Sequence, residues 1–471
     1  MQNNALLRNL VSMQRAIHGA LDAWLERPRR RAMVIRGARQ VGKTWLVRDL
    51  AARHRLDLIE LNFEREPGRA ALFDDRGPAE VLRELGLLFG RSFDAGTSLL
   101  FLDEIQAVPR LLSKLRWFTE ELPQLAVVAA GSLLEFALSN TGHSVPVGRV
   151  TYRYVEPMTF EEVLQARGEE QLLEELRSWS PGAELSPAAH ERASRLYERF
   201  AMVGGMPAVV QADLDGEPPE TVRRMQSDLA ATYREDFARY ATRLDPELLD
   251  RVLVSVSFRI GEKLVYSRLG EGLQHRHVKE AVELLAKARL LTLVPHSVAD
   301  GIPLAGAADP RKRKAVFLDV GLVHATLRTP AAQAFPSPRD LAPGIRGRLA
   351  EQLAGQCLRQ LHPSAGDEPT LHYWQRGGGR LGEVDYLIEV DQRVVPVELK
   401  AGATGSMKSL HQFMQEKGFE VALRSDTNPP SVQDVAVETT QGRPVRFRLL
   451  SLPGYLLWRA ADTLRELIRK N

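Results

Sequence analysis

Eight consecutive residues, Gly37-Ala38-Arg39-Gln40-Val41-Gly42-Lys43-Thr44, carry the spacing G-x-x-x-x-G-K-[ST]. Each fixed position has a chemical task. Glycines at 37 and 42 let the backbone turn tightly around anionic oxygens. Lys43 can reach β- and γ-phosphates as a point charge, and the Thr44 hydroxyl can ligate magnesium. Upstream, Ala32-Met33-Val34-Ile35 reads as a short buried strand; downstream, Trp45 to Ala51 carries apolar residues at helical spacing. The loop then delivers phosphate to a helix N-terminus, where backbone N–H groups and the helix dipole hold negative charge. Residues 37–44 are therefore expected to bind ATP.

A second run supports the first. Leu99-Leu100-Phe101-Leu102 is a buried-strand pattern ending in Asp103-Glu104, the Walker B arrangement. Asp103 is expected to hold magnesium with Thr44, and Glu104 to polarise the attacking water. A further strand, Leu125 to Ala130, ends in Gly131-Ser132, so Ser132 either faces the γ-phosphate or the lytic water, or caps a helix Leu133 to Leu138; the two roles are compatible. Beyond it lies Gly148-Arg149. A guanidinium there either stabilises transition-state charge, in cis or from a neighbouring subunit, or makes a surface ion pair.

The elements that position these residues alternate. Strands at Ala32 to Ile35, Leu56 to Leu61, Leu99 to Leu102 and Leu125 to Ala130 are separated by helical patterns, which implies a parallel sheet covered on both faces. With 471 residues the chain has room for about three domains. Their expected bounds are 1–155 for the phosphate-binding domain, 156–335 for a helical connector with a winged-helix-like region, and 336–471 for a third α/β domain. In the middle region, helices at Leu249 to Phe258 and Val278 to Leu290 precede a strand Leu291 to Val294, a loop Ala299 to Lys314 and a return strand Ala315 to Leu318. The run Arg311-Lys312-Arg313-Lys314 near that wing reads either as a phosphate contact or as a solvated loop.

The third region carries its own chemistry on an αβββαββ order. Glu398 and Lys400 lie two residues apart on the strand Arg393 to Leu399, so they share one face. Asp385 on the neighbouring strand can converge with Glu398 on one magnesium, Glu351 on the preceding helix can support it, and Lys400 can orient water. This is the PD-(D/E)xK nuclease constellation, with Val384-Asp385 at the proline-aspartate position. The alternative is a salt-bridged, half-exposed sheet face. Gln412 on the following helix is expected to face solvent.

Composition narrows the class. Lys+Arg 63 against Asp+Glu 60 leaves a net +3, too balanced for whole-chain charge to argue for nucleic acid. The single cysteine, Cys357, excludes an internal disulfide and suits a reducing compartment. The start Met1-Gln2-Asn3-Asn4 is uncharged, and the apolar residues after it are interrupted by Arg8, Gln14 and Arg15, so no signal peptide is expected. The most apolar window, Leu122 to Ser139, contains Pro123, Gly131 and Glu135, and the last helix, Tyr455 to Lys470, is amphipathic. A cytoplasmic protein without membrane contact is expected.

Arg36 to Thr44, Leu102-Asp103-Glu104-Ile105-Gln106, Ala130-Gly131-Ser132 and Gly148-Arg149 together resemble a prokaryotic family of AAA-type ATP-binding proteins fused to a C-terminal domain of unknown function. The likeness extends to Gly204-Gly205-Met206-Pro207, Phe317 to Leu322, Glu351 and Val397 to Lys400. It implies an AAA core with parallel sheet, Ser132 as first sensor and Arg149 as arginine finger, then a winged helix and a restriction-endonuclease-like α/β domain. Two functions follow. In one, ATP hydrolysis is coupled to binding or cleavage of DNA or RNA; in the other, the ATPase is a switch that binds a protein partner through an inactive recognition module. Self-association is a candidate in both.

Overall fold

A computed structural model describes residues 13–132, 134, 148–240, 244–327, 343–361, 366, 368–377, 382–400, 402 and 406–469. Five strands form the first sheet: β1 (Ala32–Arg36), β2 (Asp57–Asn62), β3 (Ser98–Asp103), β4 (Ala126–Gly131) and β5 (Val150–Tyr154). All pairings are parallel, in the order β2-β3-β4-β1-β5. Alternation along β1 sends Met33 and Ile35 into one core layer and Ala32 and Val34 into the other, so helices must cover both faces. The expected strands are found to within a residue or two. The helix anticipated over Leu133 to Leu138 lies outside the described residues, apart from Leu134.

Register aligns the strand ends. Arg36 is level with Gly131, and Asn62 with Asp103, so β1 to β4 finish along one edge. At that edge the chain turns into the helix Lys43–Arg53 through Gly42, whose φ of 97° suits glycine. Gly37 is needed for a different reason: a Cβ there would lie 2.3 Å from the Val155 carbonyl oxygen.

The middle of the chain is helical from Phe160 to Lys287 and then forms an antiparallel hairpin of β6 (Leu291–Ser297) and β7 (Ala308–Phe317). Helix, helix, strand and strand thus follow in the expected order, but β7 starts at Ala308, so the basic run is strand rather than loop. The hairpin also extends the last sheet. That sheet adds β8 (His372–Gln375), β9 (Glu383–Val390), β10 (Arg393–Leu399), β11 (Val421–Asp426), β12 (Ser431–Glu438) and β13 (Pro444–Pro453), in the order β12-β13-β11-β10-β9-β8-β6-β7. The link is His296 beside Tyr373. The strand β12 was not expected from the sequence.

Two of the sequence motifs outside the phosphate loop meet in a buried joint. The Asp319 carboxylate accepts from Gly205 N at 2.6 Å, Gly321 N at 2.8 Å and Gln356 Nε2 at 3.1 Å. A Cβ at Gly204 would sit 2.1 Å from Asp319 Oδ1, and one at Gly205 would sit 2.1 Å from Met158 O. Gly204-Gly205 and Asp319 therefore join the helix Pro187–Val203 to the helices Val320–Thr326 and Pro343–Leu358. Among the described residues no helix is long and apolar enough to cross a membrane.

Candidate functional site

At the aligned strand ends, Thr44 Oγ1 donates to Asp103 Oδ2 at 3.1 Å, joining the first helical turn after β1 to the end of β3. The same oxygen accepts from Asn62 Nδ2 at 3.2 Å, while Asp103 Oδ1 accepts from Glu104 N at 3.1 Å. These donors are all neutral. Burial first, and the Glu104 charge second, push the Asp103 carboxyl up to about 6. Lys43 lies over its own loop, with Nζ donating to Gly37 O at 3.1 Å and Ala38 O at 2.7 Å.

Ser132 directly follows β4, which runs between β1 and β3. It is 1% exposed, and among the described residues its Oγ has no hydrogen-bond partner. An unmade bond on such a group costs roughly 1–3 kcal/mol, so it marks a position where a ligand oxygen fits. Glu104 takes a left-handed backbone (φ 51°), uncommon outside glycine, and its Oε2 accepts from Gln106 Nε2. The hard oxygens of Thr44 and Asp103 suit magnesium, and the loop amides ahead of the Lys43–Arg53 helix suit phosphate.

Several residues that hold this site were not foreseen. Tyr233 Oη donates to Arg39 O at 2.7 Å, and Arg39 Nε pairs with Asp236 at 2.7 Å; both partners come from the helix Pro219–Tyr240. Arg15 Nη1 donates to Val41 O at 3.1 Å and Nη2 to Glu156 O at 2.6 Å. The Glu156 carboxylate in turn meets Arg359 Nη2 at 2.7 Å. Only Asn62 had a sequence signal: a polar residue ending a strand beside the Walker B strand.

Arg149 requires a correction. It precedes β5, with Val150 level with Ala32, the first residue of β1. The four-residue rise to Arg36 spans about 13 Å, so Arg149 sits at the opposite end of the sheet from Lys43. Its Nη1 pairs with Glu120 at 3.3 Å. Action in cis is excluded by strand direction.

In the last sheet, Val397 lies opposite Tyr386, which brings Asp385 and Glu398 to the next position on adjacent antiparallel strands. Asp385 Oδ2 accepts from Leu399 N at 2.7 Å, and Lys400 Nζ meets Glu398 Oε1 at 2.6 Å. Glu351 approaches from the helix Pro343–Leu358. Lys314 corrects the reading of the basic run. It is 1% exposed, and its Nζ lies 2.8 Å from Glu351 Oε1 and 2.6 Å from Glu383 Oε1. Only Arg311 and Lys312 of that run reach solvent freely, and both pair with Asp309.

Burial raises the carboxyls of Glu351, to about 7, and Asp385, to about 6. Lysine charge opposes the rise in both. Burial also opposes the Lys314 charge, but Glu351, Glu383 and Asp385 outweigh it and hold its pKa above the ordinary lysine value. Gln412, expected in solvent, is buried. Among the described residues no group of three or more His, Cys, Asp or Glu is arranged to hold a metal ion.

Comparison with protein families divides the chain in three. Residues 29–164 match an AAA domain, residues 194–333 a domain of unknown function (DUF8612), and residues 346–440 a domain of unknown function (DUF4143). A comparison with curated proteins gave no match. Among solved structures, the Aeropyrum pernix ORC1 protein in complex with DNA is 16% identical over 69% of this chain and 96% of its own, with a TM-score of 0.30. The Thermotoga maritima RuvB Holliday junction branch migration motor is 16% identical over 59% of this chain and 87% of its own, with a TM-score of 0.26. The phosphate loop, the Walker B carboxylates and Ser132 all fall inside the segment that is similar to an AAA domain, so the candidate ATP site of this α/β chain lies in its AAA-like part.

Proposed function

We propose that the protein is a magnesium- and ATP-dependent switch whose AAA-type domain binds and slowly hydrolyses ATP. The observation that carries this reading is the 3.1 Å contact between Thr44 and Asp103, with the Ser132 Oγ, unpartnered among the described residues, directly after the strand between theirs. Residues 37–44 wrap the phosphates, Lys43 turns from its own loop carbonyls to the β- and γ-oxygens, and Thr44 and Asp103 hold magnesium. The ion, when bound, neutralises charge developing on the phosphoryl oxygens. Glu104 orients and polarises the attacking water, and Ser132 contacts the γ-phosphate or that water.

The switch has a physical route outward. Two carbonyls of the loop, Arg39 O and Val41 O, are held by Tyr233 and Arg15, and Arg15 also grips Glu156, which pairs with Arg359. A loop that rearranges around phosphate changes those bonds, and Arg359 follows the helix that carries Glu351. Spatial continuity of this kind supports coupling, and a measured change at the far end establishes it. In this reading the units are 1–155, 156–335 and 336–471, the last being the recognition module for a partner. ATP binding and turnover by wild type, Lys43→Ala and Glu104→Gln test it: binding should fail in the first variant and persist without turnover in the second.

A second reading, magnesium-dependent cleavage of DNA or RNA at Asp385, Glu398 and Lys400 with Glu351 in support, is favoured by one observation. Glu398 is 7% exposed and among the described residues its Oε2 has no hydrogen-bond partner, a condition that a bound cation relieves. Cleavage of a mixed DNA pool that is lost in Asp385→Asn supports it.

A further inference from the structure

We infer that the Lys314 ammonium is the resident cation of the C-terminal acidic cluster and takes the place of a divalent metal there. This stands apart from the ATP-site reading and competes with the cleavage reading, which needs a metal at the same carboxylates. Lys314 is contributed by β7, a strand outside the motif, and it enters the cluster from the hairpin side of the sheet. Its Nζ bridges Glu351 Oε1 and Glu383 Oε1 at 2.8 and 2.6 Å and lies 5.3 Å from the Tyr373 ring centre. The chain is tied down on both sides of the lysine. Arg313 O accepts from Leu264 N at 2.8 Å, and Phe317 N donates to Gln352 Oε1 at 2.9 Å.

Charge makes the same point. Four carboxylates, Glu351, Glu383, Asp385 and Glu398, face Lys314 and Lys400 at salt-bridge or near range, and Lys263 reaches Glu383 Oε2 at 3.9 Å. Lys263 stands at the half-exposed edge, and Lys314 already places a positive charge between Glu351 and Glu383. A divalent ion seated beside that ammonium would set two like charges at short range, a costly arrangement. Space is short as well: a Cβ on Gly261 would lie 2.2 Å from Glu351 Oε2, so the loop after the helix Pro246–Phe258 closes directly over that carboxylate. The cluster therefore fastens β7, β9 and the helix Pro343–Leu358 together and does not take up metal while Lys314 is in place.

Manganese binding to the full, nucleotide-free chain, read by electron paramagnetic resonance, tests this. Comparing each protein with its Asp385→Asn counterpart separates this cluster from Asp103. Wild type should show no Asp385-dependent manganese at millimolar concentration. Lys314→Met keeps the side-chain volume but removes the charge, and it should gain one Asp385-dependent ion at least about tenfold tighter than any wild-type binding at this cluster. If Lys314→Met unfolds without metal, recovery of its circular dichroism by manganese supports the assignment equally. Manganese on wild type that disappears in Asp385→Asn overturns it, as does a folded Lys314→Met that gains none. Should the variant stay unfolded in manganese, the wild-type pair decides between the two.

Discussion

The two acidic sites of this protein meet their charge in opposite ways. At the end of β3, the Asp103 carboxylate receives three bonds from neutral donors, Thr44, Asn62 and the Glu104 amide. At the heart of the last sheet, Glu351, Glu383 and Glu398 each lie within 2.8 Å of a lysine nitrogen. Asp103 and Glu398 are buried and Glu351, Glu383 and Asp385 half-buried, and burial raises carboxyls in both sets. Neutral donors orient a carboxylate without cancelling its charge, so the first site keeps charge for the magnesium proposed to arrive with nucleotide. Lysines cancel the charge permanently, so the second is prepared to hold strands together. Similar residue types thus give a ligand site in one place and a fastening in the other.

The largest effects should come from breaking the first site. Lys43→Ala should abolish ATP binding in equilibrium titration, whereas Glu104→Gln should retain it and lose roughly 10²- to 10⁴-fold in turnover, the usual worth of a positioned base. An unchanged hydrolysis rate in Glu104→Gln would remove that residue from the chemistry. The second site should fail differently. Lys314→Met should cost about 3–5 kcal/mol in urea unfolding without metal, because removing one partner leaves buried carboxylates uncompensated. A loss below about 1 kcal/mol would place the lysine among weak surface pairs.

His324 sharpens the contrast because it is buried and its Nε2 meets a backbone acceptor, Ala201 O, at 3.1 Å. Burial, the largest cause, lowers its pKa from 6.5 to about 4. The unfolded chain then binds the proton first as pH falls, so stability should be lost from about pH 6.5 downward, by at most about 3 kcal/mol at pH 4. His324→Gln, which can still donate to Ala201 O, should flatten that part of the pH profile. An identical profile would assign the acid loss to other groups.

The smallest expected change is at Arg149. Since it lies at the wrong end of its own sheet, any role in turnover must come from a neighbouring copy, and Arg149→Ala should then slow hydrolysis about tenfold, about 1.4 kcal/mol. Mixing Arg149→Ala with Lys43→Ala should restore activity if each supplies the half that the other lacks. No recovery in a mixture shown to associate would end that role and leave only the Glu120 ion pair.

The geometry of the candidate ATP site was largely legible because its motifs are local. Residues 37–44 are contiguous, and apolar runs ending in Gly131-Ser132 and Asp103-Glu104 announce strand ends without reference to the rest of the fold. For Arg149 the sequence left action in cis and from a neighbouring copy both open, because it does not say which end of a parallel strand faces the loop; the structure removes the first and leaves the second untested. Lys314 was hidden inside a basic run whose first members do face solvent; its partners lie 37 and 69 residues later along the chain, in Glu351 and Glu383. The strand β12 is an edge strand with mostly exposed or half-buried side chains, so it lacks the apolar alternation that marks strands with one face in the core. Gly204-Gly205 and Asp319 were visible as motifs, but their role as a joint depends on Asp319 reaching both glycine and glutamine backbone and side-chain donors across the fold.

Hydrogen exchange on Glu104→Gln, with and without magnesium-ATP, tests the switch most directly, since that variant should hold nucleotide without consuming it. The account predicts altered protection at residues 37–44 together with the segments around Tyr233, Gly204-Gly205 and Arg359, all absent in Lys43→Ala. Protection confined to residues 37–44, with the helix Pro343–Leu358 and its neighbours unchanged, would contradict it.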